Sequence, residues 1–124
     1  MRAFKTKSFA RWARGERLDD ARLCTAIREL ESGLWDANLG GHVYKKRLAS
    51  AQQGKRGAYR TLLAYRQGGT AVFLFGFAKN VRSNVSEREQ EALKKLAKLY
   101  LSFTPEQWKT AVISGELIEV NCNA

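Results

Sequence analysis

The chain has 124 residues, with 44% hydrophobic and 27% charged side chains, enough for one globular domain with one sizeable core. Its 22 Lys and Arg against 12 Asp and Glu give a formal charge of +10, which argues for a polyanionic partner such as nucleic acid, an acidic protein or an anionic membrane surface. The longest apolar run, Ala71 to Phe77, is far below the ~20 residues that span a bilayer; no secretory h-region follows Met1, and one His with two distant Cys gives no metal-ligand spacing.

In chain order, Phe4, Phe9, Trp12 and Ala13 suit a short strand followed by one or two helical turns, stopped near Gly15. Asp19 or Asp20 caps a second helix, with Leu23, Ala26, Ile27 and Leu30 on one face and Gly33 at its C′ position. Leu34 to Gly41 reads as a loop. Val43 to Ala49 is a strand. Tyr59 to Arg66 is another, with Tyr59, Thr61, Leu63 and Tyr65 on one face and Arg60, Leu62, Ala64 and Arg66 on the other. Gln67-Gly68-Gly69 turns the chain into Ala71 to Phe77, a continuous apolar run that suits a central strand covered on both faces. Ser86-Glu87-Arg88-Glu89 and Thr104-Pro105-Glu106-Gln107 are capping boxes that open two more helices. Leu117 to Val120 is either a short final strand or an apolar tail. The expected fold is α+β: N-terminal helices on a small antiparallel sheet of about three to four strands, followed by C-terminal helices. It forms one domain over residues 1–124, with the sheet at about 43–79 and the helical region at about 86–124. Without an export signal, Cys24 and Cys122 are expected as reduced thiols of a cytoplasmic protein, although a disulfide between them is open.

The charge is segregated. Residues 37–86 contain no Asp or Glu but hold Lys45, Lys46, Arg47, Lys55, Arg56, Arg60, Arg66, Lys79 and Arg82, while the remainder has 13 basic and 12 acidic residues. A solvated face normally mixes signs, so this segment reads as an anion-binding surface. No carboxylate lies in it, and the helical ones sit among Lys and Arg, which argues against a two-carboxylate glycosidase or a metal-dependent nuclease. No G-x-x-x-x-G-K-[ST] loop exists. His42, the sole histidine, follows two glycines and reads as structural. Tyr44, Tyr59 and Tyr65 either stack on bases or are half-buried strand aromatics. Cations converging on a sheet would hold RNA phosphates and neutralise charge in a phosphoryl-transfer transition state. A lysine with its pKa lowered by adjacent cations could serve as base, and RNA carries its own nucleophile, the 2′-OH.

Three stretches carry a resemblance: Gly41-His42-Val43-Tyr44-Lys45-Lys46-Arg47-Leu48, Gly54-Lys55-Arg56-Gly57-Ala58-Tyr59-Arg60-Thr61 and Phe75-Gly76-Phe77-Ala78-Lys79-Asn80. With Asn84-Val85-Ser86 and Leu93-Lys94-Lys95-Leu96-Ala97, they resemble the RelE/HigB-type toxins of bacterial type II toxin–antitoxin modules, more narrowly their phage-associated branch. The resemblance covers roughly residues 38–101. It implies a small microbial-RNase-like fold and metal-independent endonucleolytic cleavage of mRNA in the ribosomal A site, with no cofactor. Its implied partners are the ribosome, its mRNA and a cognate antitoxin of helix-turn-helix type. At matching positions it implies phosphate binding or base catalysis by Lys55 and Arg56. Arg60 would stabilise the transition state, and Lys79 would protonate the leaving oxygen or hold the phosphate. Lys45, Lys46, Arg47, Tyr59, Arg66 and Arg82 would dock RNA or ribosome. Some relatives carry a Tyr or His near the C-terminus as acid or base; the last twenty residues here have neither, leaving Tyr100, His42 or the lysines. Two alternatives stand beside this reading: a ParE-like gyrase-inhibiting toxin, and a non-enzymatic basic module that only positions a nucleic-acid backbone.

Overall fold

A computed structural model describes residues 2–49 and 59–122. Strand β1 (Arg2–Thr6) leads directly into helix α1 (Lys7–Gly15), then α2 (Asp20–Glu31). Strands β2 (Ala37–Gly40), β3 (Val43–Leu48), β4 (Tyr59–Tyr65) and β5 (Thr70–Ala78) follow, then α3 (Glu87–Leu101), α4 (Pro105–Ser114) and β6 (Leu117–Glu119). The helix starts obey local chemistry. Thr6 and Asp19 accept from the amides of Phe9 and Arg22, and both capping boxes close reciprocally at Ser86–Glu89 and Thr104–Gln107. Helix α2 ends in a Schellman arrangement: Gly33 is left-handed, and the amides of Gly33 and Leu34 reach the carbonyls of Leu30 and Glu29.

The six strands form one mixed sheet in the order β2-β3-β4-β5-β1-β6. β1 runs parallel to β5, with Phe4 opposite Val72, and antiparallel to β6. The expected antiparallel sheet of three to four strands is therefore wrong in both size and direction. The β3-β4-β5 meander lies where the alternation places it. It is extended by β2, which has no β-branched or aromatic residue to announce it, and by β1 and β6, which sit next to helix starts or ends and pair across the whole chain. Parallel pairing leaves no turn signal between its strands.

Helices cover both faces. Leu23, Ile27 and Leu30 of α2, with α1, pack onto Leu63, Tyr65 and Phe73, while α3 and α4 lie over Phe4, Val43, Leu62, Ala64, Val72 and Leu74. Each fully buried Leu, Val or Phe stabilises the fold by roughly 1.5–3 kcal/mol relative to exposure. A bulge in β5 turns both Leu74 and Phe75 to the α3 side, opposite Leu62. Gly76 allows Trp12 to lie flat against β5: a Cβ there would sit 2.3 Å from the indole ring. Gly41 and His42, both at positive φ, make the two-residue β2–β3 hairpin turn of type I′, which gives His42 the structural role expected of it.

The expectation of two reduced thiols does not hold. Cys24 in α2 and Cys122 in the C-terminal tail form a disulfide, with Cα atoms 5.5 Å apart. The tail is laid against α2 and β1: Val120 is buried and donates its amide to the Ala3 carbonyl, and the Asn121 amide donates to Asp20. A compartment argument from composition has no access to that juxtaposition. Among the described residues, no helix is long and apolar enough to cross a membrane.

Candidate nucleic-acid interface

The candidate site lies on the α3-facing side of the meander, at the end where β4 begins. The ladder sets Arg47 of β3 directly opposite Arg60 of β4, and Arg60 opposite Phe77 of β5. The next rank is Lys45, Leu62 and Phe75. Like charges directly opposite in an antiparallel pair are destabilising. Arg60 is also half-buried, and its Nη1 is buried with no hydrogen-bond partner among the described residues. A buried donor left unsatisfied costs about 1–3 kcal/mol, more when charged. An anion bound over Arg47 and Arg60 would relieve both costs.

The floor and rim are fixed by the segment after β5. The Arg82 guanidinium lies 5.7 and 5.3 Å from the ring centres of Phe75 and Phe77, a cation–π arrangement. It forms a two-pronged ion pair with Glu89 and donates to the Asn84 carbonyl. Beside Arg82, and accepting from the Ser86 amide, the Glu89 carboxyl is pushed down to about 2. Lys45 Nζ donates to the Asn84 side chain at 3.0 Å. Thus Lys45 and Arg82 are held in place by neighbours, whereas Arg60 keeps a donor without a partner among the described residues. Lys79 is exposed immediately past the end of β5, on the same edge of the site.

The structure brings Lys45, Arg47, Arg60 and Arg82 to this side, with Lys79 adjoining. It does not bring Lys46 or Tyr59 there. Lys46 is buried on the opposite face, 2.7 Å from Glu29 of α2. Tyr59 packs edge-on to Trp12 and donates to the Glu16 carbonyl. Arg66 lies at the far end of β4, donating to the Leu101 carbonyl. Lys55 and Arg56 fall outside the described residues. Of the tyrosines, Tyr59 and Tyr65 are buried and Tyr44 packs edge-on to Trp35 and Tyr65, so these three are strand aromatics of the α1–α2 side. Tyr100 donates to Glu116, and burial with this carboxylate raises its pKa. It lies eleven residues along α3 from Glu89, ~16 Å at 1.5 Å per residue. His42 occupies the turn at the other end of β3.

Glu89, Asn84, Phe75 and Phe77 escape a search for site residues in the sequence. Glu89 carries a visible signal, the capping box, but that signal announces a helix start and not a hold on Arg82. Among the described residues no group of His, Cys, Asp or Glu gathers as a metal-binding cluster.

The family model for the RelE toxin of the RelE/RelB toxin–antitoxin system matches residues 1–120. No curated protein matches the sequence. With a match over nearly its whole length, the chain belongs to the RelE family, the toxin side of a toxin–antitoxin pair.

Proposed function

We propose that this toxin is a ribosome-dependent endoribonuclease that cuts mRNA in the A site without a metal ion. The observation that carries the reading is the Arg47–Arg60 rank, with Arg60 Nη1 buried and without a hydrogen-bond partner among the described residues. In the reaction, the RNA 2′-oxygen attacks the adjacent phosphorus and the P–O5′ bond breaks. The products are a 2′,3′-cyclic phosphate and a 5′-hydroxyl. The 2′ proton leaves to a base, assigned to Lys55 or Arg56 with its neighbour binding phosphate, and the departing 5′-oxygen gains a proton from Lys79. Arg60 stabilises the charge that builds on the pentacoordinate phosphorus. Lys45 and Arg47 hold the flanking backbone, and the Arg82–Glu89 clamp positions the aromatic floor. The partner antitoxin, of helix-turn-helix type in this reading, restrains the toxin by laying an acidic segment over the cations.

Induced expression with mapping of mRNA 5′ ends tests this. Wild type should give codon-phased cuts in translated messages, and Arg60→Ala and Lys79→Ala should abolish both cuts and growth arrest while the proteins stay folded. Intact messages with a gyrase-linked DNA-damage response would replace this reading with the ParE-like one. Salt-sensitive RNA binding without cleavage would reduce the protein to a binding module.

A further inference from the structure

A second cationic groove lies on the α3 side at the opposite end of the sheet. Arg66, immediately past the end of β4, lies six positions along the chain from Arg60, ~20 Å at strand rise. Around Arg66, a groove of about 470 Å³ runs between the β2–β3 turn and the second half of α3, lined by Lys94, Lys95 and Lys98 with His42 in the turn. Glu91 is the one acid among its described lining residues, and its carboxylate is 3.8 Å from Lys94 Nζ, a loose pair.

Two of the cations, Lys94 and Arg66, are positioned. Lys94 lies across the turn, its Cγ only 3.0 Å from where a Cβ on Gly41 would sit and its Nζ 3.8 Å from the same point on Gly40. Glycine at position 41 therefore lets the lysine stem pass, while a Cβ at position 40 would meet it only in ordinary contact. The Arg66 guanidinium is oriented by donation to the Leu101 carbonyl at 3.3 Å. The helix dipole explains Lys98, in the last turn of α3. It does not explain Lys94, two turns from the end, or Arg66 arriving from a different element.

We infer that this groove is a second phosphate-binding site, which grips RNA backbone away from the cleavage centre and so anchors the toxin on its RNA partner. This rests on the ribonuclease reading above and extends it from one point of attachment to two. The ligand chemistry is the phosphodiester: four cations and one acid around a shallow groove suit a run of single negative charges.

The test compares Lys94→Gln/Lys98→Gln with a charge-matched control, Lys7→Gln/Lys109→Gln, on a 20-nucleotide single-stranded oligouridylate across a salt series. Both variants must first show wild-type thermal midpoints. Each single-strand phosphate contact contributes about 0.7 to the slope of log K against log salt. The groove variant should therefore lose about 1.4 of slope and, at 0.15 M salt, about tenfold in affinity. With purified ribosomes, its half-saturating concentration should rise similarly while the cleavage rate at saturation stays unchanged. Equal slope losses in both variants would overturn the inference, since any lysine would then serve. An unchanged RNA slope with lost binding of the antitoxin would also overturn it and assign the groove to an acidic protein segment. If wild type cleaves ribosome-bound mRNA but the groove variant matches it throughout, the anchor alone fails; if wild type does not cleave, the ribonuclease reading fails first.

Discussion

Removing the Cys24–Cys122 disulfide should lower stability substantially without touching the cationic face. The bond closes a loop with a sequence separation of 98. In the chain-entropy account, tying the unfolded chain over ~100 residues is worth ~4.7 kcal/mol at 25 °C. Spread over 124 residues, the unfolding entropy near 60 °C is ~0.26 kcal/mol/K. The full effect would move the thermal midpoint by roughly 15–18 °C, against a typical domain stability of ~5–15 kcal/mol. Cys122→Ser is the better variant, because Cys122 is exposed whereas Cys24 is buried in the core under α2. Thermal unfolding by circular dichroism, with and without reductant, measures the effect. Reductant should lower the wild-type midpoint to that of Cys122→Ser and leave the variant unmoved. A shift under ~4 °C, ~1 kcal/mol on this scale, with the bond verified by intact mass, would mean that the unfolded chain is already restrained, or that Val120 and the Asp20–Asn121 contact carry the tail alone.

Lys46→Met should leave cleavage and toxicity unchanged, because Lys46 lies on the α2 side paired with Glu29 and away from Arg60; a folded but inactive Lys46→Met protein would show that both faces of the sheet take part. Glu89 has its folded-state pKa lowered from 4.5 to about 2, chiefly by the Arg82 hydrogen bond. The stability it contributes is therefore present above about 4.5 and lost as pH falls from there toward about 2. Glu89→Gln should be less stable than wild type at pH 7 and lose less on acidification across that window. Urea midpoints at pH 7 and pH 3 compare the two, and identical acid losses would refute the assignment.

The meander was legible in the sequence because period-two alternation and glycine turns are local: Tyr59, Thr61, Leu63 and Tyr65 face the α1–α2 side as their spacing predicts. The helix starts were legible for the same reason, since a capping box is complete within four residues. What stayed hidden is the pairing of distant residues. The short strand expected at Phe4 and the one left open at Leu117–Val120 both form, but their places beside β5 and beside each other join segments far apart in the chain; β2, in a stretch expected as loop, follows its neighbour β3. The site divides similarly. The acid-free stretch marks the cations, and the register then separates Arg60 from Lys46, a distinction that a one-residue step in a strand makes absolute. That Arg82 is clamped by a helix-capping glutamate depends on how α3 meets β5, which no local pattern encodes.

The parallel pairing of β1 with β5 has a consequence for the order in which this protein is made. β1 leaves the ribosome first but has no partner until residues 70–73 follow. At 5–20 residues per second, this delay is ~4–14 s. The β3-β4-β5 hairpins, which carry the Arg47–Arg60 rank, close on near neighbours and need not wait. β6 and the tail that reaches α2 come last. The cationic face can thus assemble on a nascent chain whose sheet is still incomplete at its β1 and β6 side.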